Sequence, residues 1–200
     1  MSIDFAAQRA TMVESQVRVN DVTDYAIQDA MRAVPREAVL PAGKAFQAYA
    51  DVEVEWAPGR WLLKPRDIAK LLQALRPRPG ERALAIAAPY AAAVLTAMGL
   101  DVYSLDPTTG QLSFGDGDQG AQVPDGGYDV IVSEGAVGNV PPRWLELLAL
   151  NGRLGVVVRT GPVGRAELYI RSERHVGRRD LFDTAPPLMP GFEPKPAFTF

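Results

Sequence analysis

The stretch Arg82–Pro107, RALAIAAPYAAAVLTAMGLDVYSLDP, decides the fold. Its spacing predicts a strand over Ala83–Ala87, a tight turn at Ala88–Pro89, a helix over Tyr90–Met98 and a turn at Gly99. A second strand, Val102–Leu105, follows and ends in Asp106. Strand, helix and strand closing on an acid make up the opening unit of a nucleotide-binding α/β sheet. The first turn of such a unit normally carries glycines, which let a ligand approach the main chain and face the free N–H groups of the helix start. Here the turn holds alanines, a proline and a tyrosine, and no glycine. The architecture of a ligand site is written in the sequence while its chemistry is missing.

Composition sets the outer bounds. Two hundred residues, 47% of them hydrophobic and 22% charged, suit one globular domain with a substantial core. We divide it into an N-terminal portion of helices and a hairpin (1–79) and a Rossmann-like core with a C-terminal arm (80–200). A net charge of −3 argues against general nucleic-acid binding, which needs a concentrated basic surface. The absence of cysteine excludes disulfides and thiolate chemistry, and a single histidine excludes a His-clustered metal site. MSIDFAAQRATM has no basic and apolar signal pattern, and no run reaches the ~18 apolar residues of a membrane span, so a cytoplasmic location is expected.

Upstream, Phe5, Met12, Val13 and Val17 mark one face of a helix over about 4–18. A second helix, N-capped by Thr23, carries the stripe Ile27, Ala30, Met31 and Val34 and ends at Pro35. Val52–Trp56 and Trp61–Leu63 flank Pro58-Gly59 as a hairpin, with Trp56 and Trp61 packing across it or lining a partner groove. Pro65 opens a helix with Ile68, Leu71, Leu72 and Leu75 on one side. Downstream, four residues separate Asp106 from Gln111–Phe114, too few for a parallel crossover, so that segment turns back antiparallel or is a loop. Tyr128–Ser133 and Leu154–Val158 read as buried strands. Between them Pro142 starts a helix that Asn151-Gly152 is expected to cap. Ala166–Arg171 and Val176–Phe182 form a closing antiparallel pair, and the tail APPLMPGFEPKPAFTF an arm docked through its aromatics.

In this order the segments resemble the protein-L-isoaspartate O-methyltransferase family over nearly the whole chain. The carrying residues are AMRAVPRE (Ala30–Glu37), AYAD (Ala48–Asp51), the Lys-Pro at Lys64, GDGDQG (Gly115–Gly120), YDVIVSEGA (Tyr128–Ala136), Val140–Leu154 and LFDTAPPLMPGF (Leu181–Phe192). The resemblance implies a class I methyltransferase fold, S-adenosylmethionine as cofactor, and methylation of isoaspartyl carboxylates in damaged proteins. It also implies that Ala87, Ala88, Asp106 and Asp116 occupy the cofactor positions, and that Leu63 stands where the family's Ser-Gln-Pro serine lies near the reacting carboxylate. The family's acid and glycine-rich loop, E/D-x-G-x-G-x-G-Y, is matched here only by Ala85–Tyr90. The family's helix between its second and third strands is deleted.

Two readings follow. The first is a family member with lost or strongly reduced catalysis and no catalytic residue, acting as a binding or scaffold module through Trp56, Trp61 and the aromatic tail toward a protein or peptide partner. The second is an active S-adenosylmethionine-dependent carboxyl methyltransferase of protein repair with an atypical cofactor loop. Glu134, just past a strand, is the polar residue expected to face the cleft, or else a strand-end carboxylate in water. His175, among arginines, reads as a surface residue, and no metal site is expected.

Overall fold

The computed structural model describes residues 3–107, the backbone of 112–114, and residues 125–194. The N-terminal layer starts with α1 (Phe5–Met12), capped by Asp4, whose carboxylate accepts from Ala7 N at 3.0 Å. A wider-wound turn carries the helix through Val17, and Asp21, at φ +63°, ends the segment. Helix α2 (Tyr25–Ala33) is capped by Asp24 rather than the expected Thr23: the Asp24 carboxylate accepts from Ala26 N and Ile27 N. Ile27, Ala30 and Met31 are buried on the predicted stripe. A hairpin, β1 (Val54–Ala57) and β2 (Arg60–Leu62), turns at Pro58-Gly59 with Gly59 at φ +67°. Helix α3 (Pro65–Leu75) follows with Ile68, Leu71, Leu72 and Leu75 buried.

The remaining elements are β3 (Arg82–Ile86), α4 (Pro89–Ala97), β4 (Asp101–Leu105), β5 (Leu112–Phe114), β6 (Tyr128–Val137), α5 (Pro142–Glu146), β7 (Leu148–Val158), β8 (Gly164–Arg171) and β9 (Val176–Thr184). They build a seven-stranded sheet in the order β5-β4-β3-β6-β7-β8-β9. The inner four strands are parallel, and β5, β8 and β9 each run antiparallel to the neighbour they join. The short link after β4 therefore turns back, one of the two outcomes the sequence left open. This is the expected Rossmann-like α/β sheet flanked by helices, and the strand order reverses between β3 and β6.

One apolar cluster joins the N-terminal helices, the hairpin, α3 and α4 to one sheet face; a second, around Leu84, Ile131, Trp144 and Met189, covers the other. Asn151-Gly152 does not cap α5. It lies inside β7, where the pairing jumps from Tyr128↔Leu148 to Val130↔Arg153. Asn151 takes φ +63°, and a Cβ on Gly152 would fall 2.6 Å from Tyr128 O. The left-handed residue and the close approach belong to a bulge, which draws on the same residue types as a helix end.

Candidate functional site

In an open α/β sheet, ligands bind outside the C-terminal ends of the strands, where the strand order reverses. Here that point lies between Ile86-Ala87-Ala88 and Ser133-Glu134-Gly135. Ala87 holds φ +49°, a left-handed conformation suited to glycine and costing an L-residue roughly 1–2 kcal/mol. The main chain thus follows a glycine's path with a methyl group on it. Ala87 and Ala88 are only 5% and 3% exposed. Pro89 opens α4 without an N–H to offer, and the N-cap residue, Ala88, has no side chain that can cap it.

The helix start nevertheless holds a carboxyl group. Glu134 is fully buried, its Oε1 accepting from Ala91 N at 3.1 Å and its Oε2 from Leu63 N at 2.9 Å. It ties the exit of the hairpin to the first turn of α4, where N–H groups and the helix dipole favour negative charge. Glu134 therefore faces neither cleft nor water. Arg36, also fully buried, donates from Nη2 to Leu63 O at 2.5 Å and lies 4.6 Å over the Tyr90 ring. Burial pushes the Glu134 carboxyl up, opposed by Arg36 and the two N–H groups; burial likewise pushes Arg36 down, opposed by Glu134. Burial also raises Tyr90, whose hydroxyl, like Ser133 Oγ and Arg36 Nε and Nη1, has no hydrogen-bond partner.

The other crevice residues are taken up in the same way. Asp106, at the end of β4, accepts from Arg60 Nη2 at 3.1 Å across the gap from the hairpin. Leu63 is 1% exposed and packed in the core, so its position offers nothing to a substrate carboxylate. Trp56 and Trp61 do not pair across the hairpin: Glu55 faces Trp61, Ala57 faces Arg60, and Trp56 sits in the bulge between. Trp56 packs instead against both apolar clusters. The C-terminal arm docks as expected over its described part, 185–194, and crosses the end of β6, while Phe198 and Phe200 lie outside the described residues. Ala136 N donates to Pro187 O, Met189 N to Ala136 O and Gly138 N to Phe192 O, and Phe192 lies 5.5 Å from the Trp144 ring. Met189, 1% exposed, shares its cluster with Ala87. Asp116 lies outside the described residues.

The switch point therefore contains what the sequence reading named, Ala87, Ala88, Asp106 and Glu134, together with three residues it did not: Arg36, Arg60 and Met189. An arginine after Pro35 in an apolar run and one beside the Pro-Gly turn were the available signals. Ser172 Oγ meets His175 Nδ1 at 3.2 Å in the exposed β8–β9 turn, away from the crevice. Among the described residues there is no cluster of three metal-ligating side chains, and no helix is long and apolar enough to cross a membrane.

An adenosyl donor in a fold of this kind lies against bare main chain at the β3–α4 turn, with an acid nearby. Here that turn carries two buried methyl groups and a proline ring, and the β3 residue ahead of it, Ala85, is an apolar side chain 1% exposed.

No family model matches the chain. It is 34% identical over 202 residues to a protein-L-isoaspartate O-methyltransferase of Methylorubrum extorquens, covering 92% of this chain and 87% of the relative. The enzyme of that name from Methylorubrum populi is 34% identical over 199 residues, with coverages of 90% and 92%. Among solved structures, a Plasmodium falciparum protein-L-isoaspartate O-methyltransferase in complex with S-adenosyl-L-homocysteine superposes with a TM-score of 0.70 at 17% identity, over 90% of this chain and 97% of that one. A second protein-L-isoaspartate O-methyltransferase structure gives 0.71 at 21% identity, over 93% and 67%.

Proposed function

The chain belongs to the protein-L-isoaspartate O-methyltransferase family, and from that premise we propose that it keeps the family fold with its donor site closed. On this reading S-adenosylmethionine-dependent methylation of isoaspartyl carboxylates is lost or strongly reduced, and the protein works as a binding module for a protein or peptide partner. The observation that supports it most is the β3–α4 turn, with Ala87 at φ +49° and only 5% exposed.

The loss is large enough to matter. The fold's usual donor contacts are several main-chain and carboxylate hydrogen bonds, each worth about 0.5–1.5 kcal/mol net and more when charged. Three or four of them separate micromolar from millimolar binding at about 1.4 kcal/mol per tenfold. Asp106 cannot replace them, since a carboxylate accepts from sugar hydroxyls and repels the donor's own carboxylate.

Isothermal titration with S-adenosylmethionine and S-adenosyl-L-homocysteine, run beside methyl transfer to an isoaspartyl peptide, tests the proposal. The expected result is no saturable heat at micromolar ligand and no methyl ester. Micromolar binding with turnover would overturn it and establish the active enzyme instead.

A further inference from the structure

A second region lies around the C-terminal end of α3. Helix α3 starts at Pro65, beside the crevice, and its 11 residues carry the chain about 16 Å to Leu75. There a groove of about 720 Å³ opens between the end of α3, the loop before α2 and strand β9. Its lining includes Lys70, Arg76, Arg78 and Arg179, over an apolar floor of Leu181 and Phe182.

Those cations stand out against the rest of the molecule. Most arginines are engaged, for instance Arg153 with Glu81, Arg165 with Asp180 and Asp183, and Arg143 with Glu146. Among the described residues, the guanidinium groups with neither ion pair nor hydrogen bond are those of Arg76, Arg78, Arg82, Arg174 and Arg179. Three of these five line the one groove. Helix-end capping does not account for Arg76, because Arg153 already donates to the carbonyls of Leu75 and Arg76. Arg76 itself holds φ +49°, where glycine or asparagine is the usual occupant. Lys70 lies 4.8 Å over the Phe182 ring and, among the described residues, forms no ion pair.

The rim adds a second kind of signal. The two most exposed large apolar side chains among the described residues are Tyr25 (75%) and Val19 (66%). They are the sequence neighbours of Asn20 and Asp24 on the far wall and do not themselves line the groove. Asp21 and Asp24 on that wall would repel a compact polyanion, whereas an extended chain can set its acidic residues against the arginines and apolar ones against Tyr25 and Val19. Exposed tyrosine and arginine beside an apolar floor is the composition of a protein-binding surface.

We propose that this groove binds an acidic, partly apolar peptide segment of a partner protein. The site stands independently of the donor-site reading, because it shares no residue with the crevice and its test uses no donor. The experiment is fluorescence anisotropy with three fluorescein-labelled peptides of equal length, alternating Glu with Leu, Glu with Ser, and Lys with Leu, and with tripolyphosphate as competitor. The Glu–Leu peptide is expected to bind saturably and more tightly than the Glu–Ser peptide, and the Lys–Leu peptide not at all. Arg78→Ala with Arg179→Ala should weaken it about tenfold or more and Tyr25→Ala about threefold. Arg174→Ala, an equal change of charge elsewhere, should leave it unaltered, with circular dichroism confirming that each variant is folded. Absence of saturable Glu–Leu binding below about 1 mM overturns the proposal. An equal loss in Arg174→Ala, or tripolyphosphate displacing the peptide with Tyr25→Ala silent, overturns it too.

Discussion

At the C-terminal ends of the strands, Glu134 is bound by Leu63 and Ala91 and Asp106 by Arg60. Around the C-terminal end of α3, Arg76, Arg78 and Arg179 line a groove with their guanidinium groups in no ion pair or hydrogen bond, Arg78 lying in the field of Glu81. In the crevice, the described polar side chains are paired within the chain, and Ala87 and Ala88 bury their methyl groups at the β3–α4 turn. The groove, in a place where the fold requires nothing, leaves its arginines free of ion pairs, which is what the proposed peptide site rests on. Position in a fold and readiness to bind are separate properties, and charge that is left unsatisfied locates the second better than the strand ends do.

The comparison breaks most severely at Glu134. Glu134→Leu strands Arg36 in the core and leaves Leu63 N and Ala91 N without acceptors, so unfolding in urea should show a loss of about 3 kcal/mol or more. Adding Arg36→Met should recover part of that loss, since an apolar pair can replace a buried ionic one. The proton balance gives a second readout. The folded state holds Glu134 above its ordinary range, so it binds the proton more tightly than the unfolded chain does. This contribution makes stability fall as pH rises from the usual carboxylate range toward the raised value, and Glu134→Gln should remove that slope.

Next in size is the arm. A Cβ on Gly138 would lie 2.3 Å from Pro194 N, so Gly138→Ala must lift the arm off β6. A loss of about 2 kcal/mol is expected, with faster proteolysis between residues 185 and 194. Arg60→Ala should cost less, about 0.5–1 kcal/mol, because the Asp106 side chain is half exposed. Titration calorimetry should still show no micromolar binding of S-adenosylmethionine, because the methyl groups at Ala87 and Ala88 remain. Smallest is Arg76→Gly, which relieves a left-handed arginine and should stabilise the protein by up to about 1 kcal/mol in thermal melts, while weakening the groove for acidic peptides.

The alternating and helical patterns around Arg82–Pro107 were enough to place the sheet, because buried strands and amphipathic helices impose their period on the residues themselves. Pro65 and Pro142 marked helix starts for the same local reason. The absence of glycine at Ala87 was equally legible. What stayed hidden depends on contacts far apart in the chain. Nothing near Glu134 announces that Leu63, 71 positions away, will donate to it, nor that Arg60 will reach Asp106. Asn151-Gly152 misled because a bulge and a helix end ask for the same left-handed backbone. The groove was invisible for the opposite reason: a lack of partners can be seen only after every pairing is known.

The wall of that groove is held by one side chain. Gln73 accepts from Thr23 N and Asp24 N through Oε1 and donates from Nε2 to Asp21 O at 2.8 Å. The loop before α2 is thus set in shape by α3 ahead of any encounter. Capture of an acidic chain should then proceed in a single kinetic phase, at a speed governed by diffusion and the field of the arginines, with no slow rearrangement following contact.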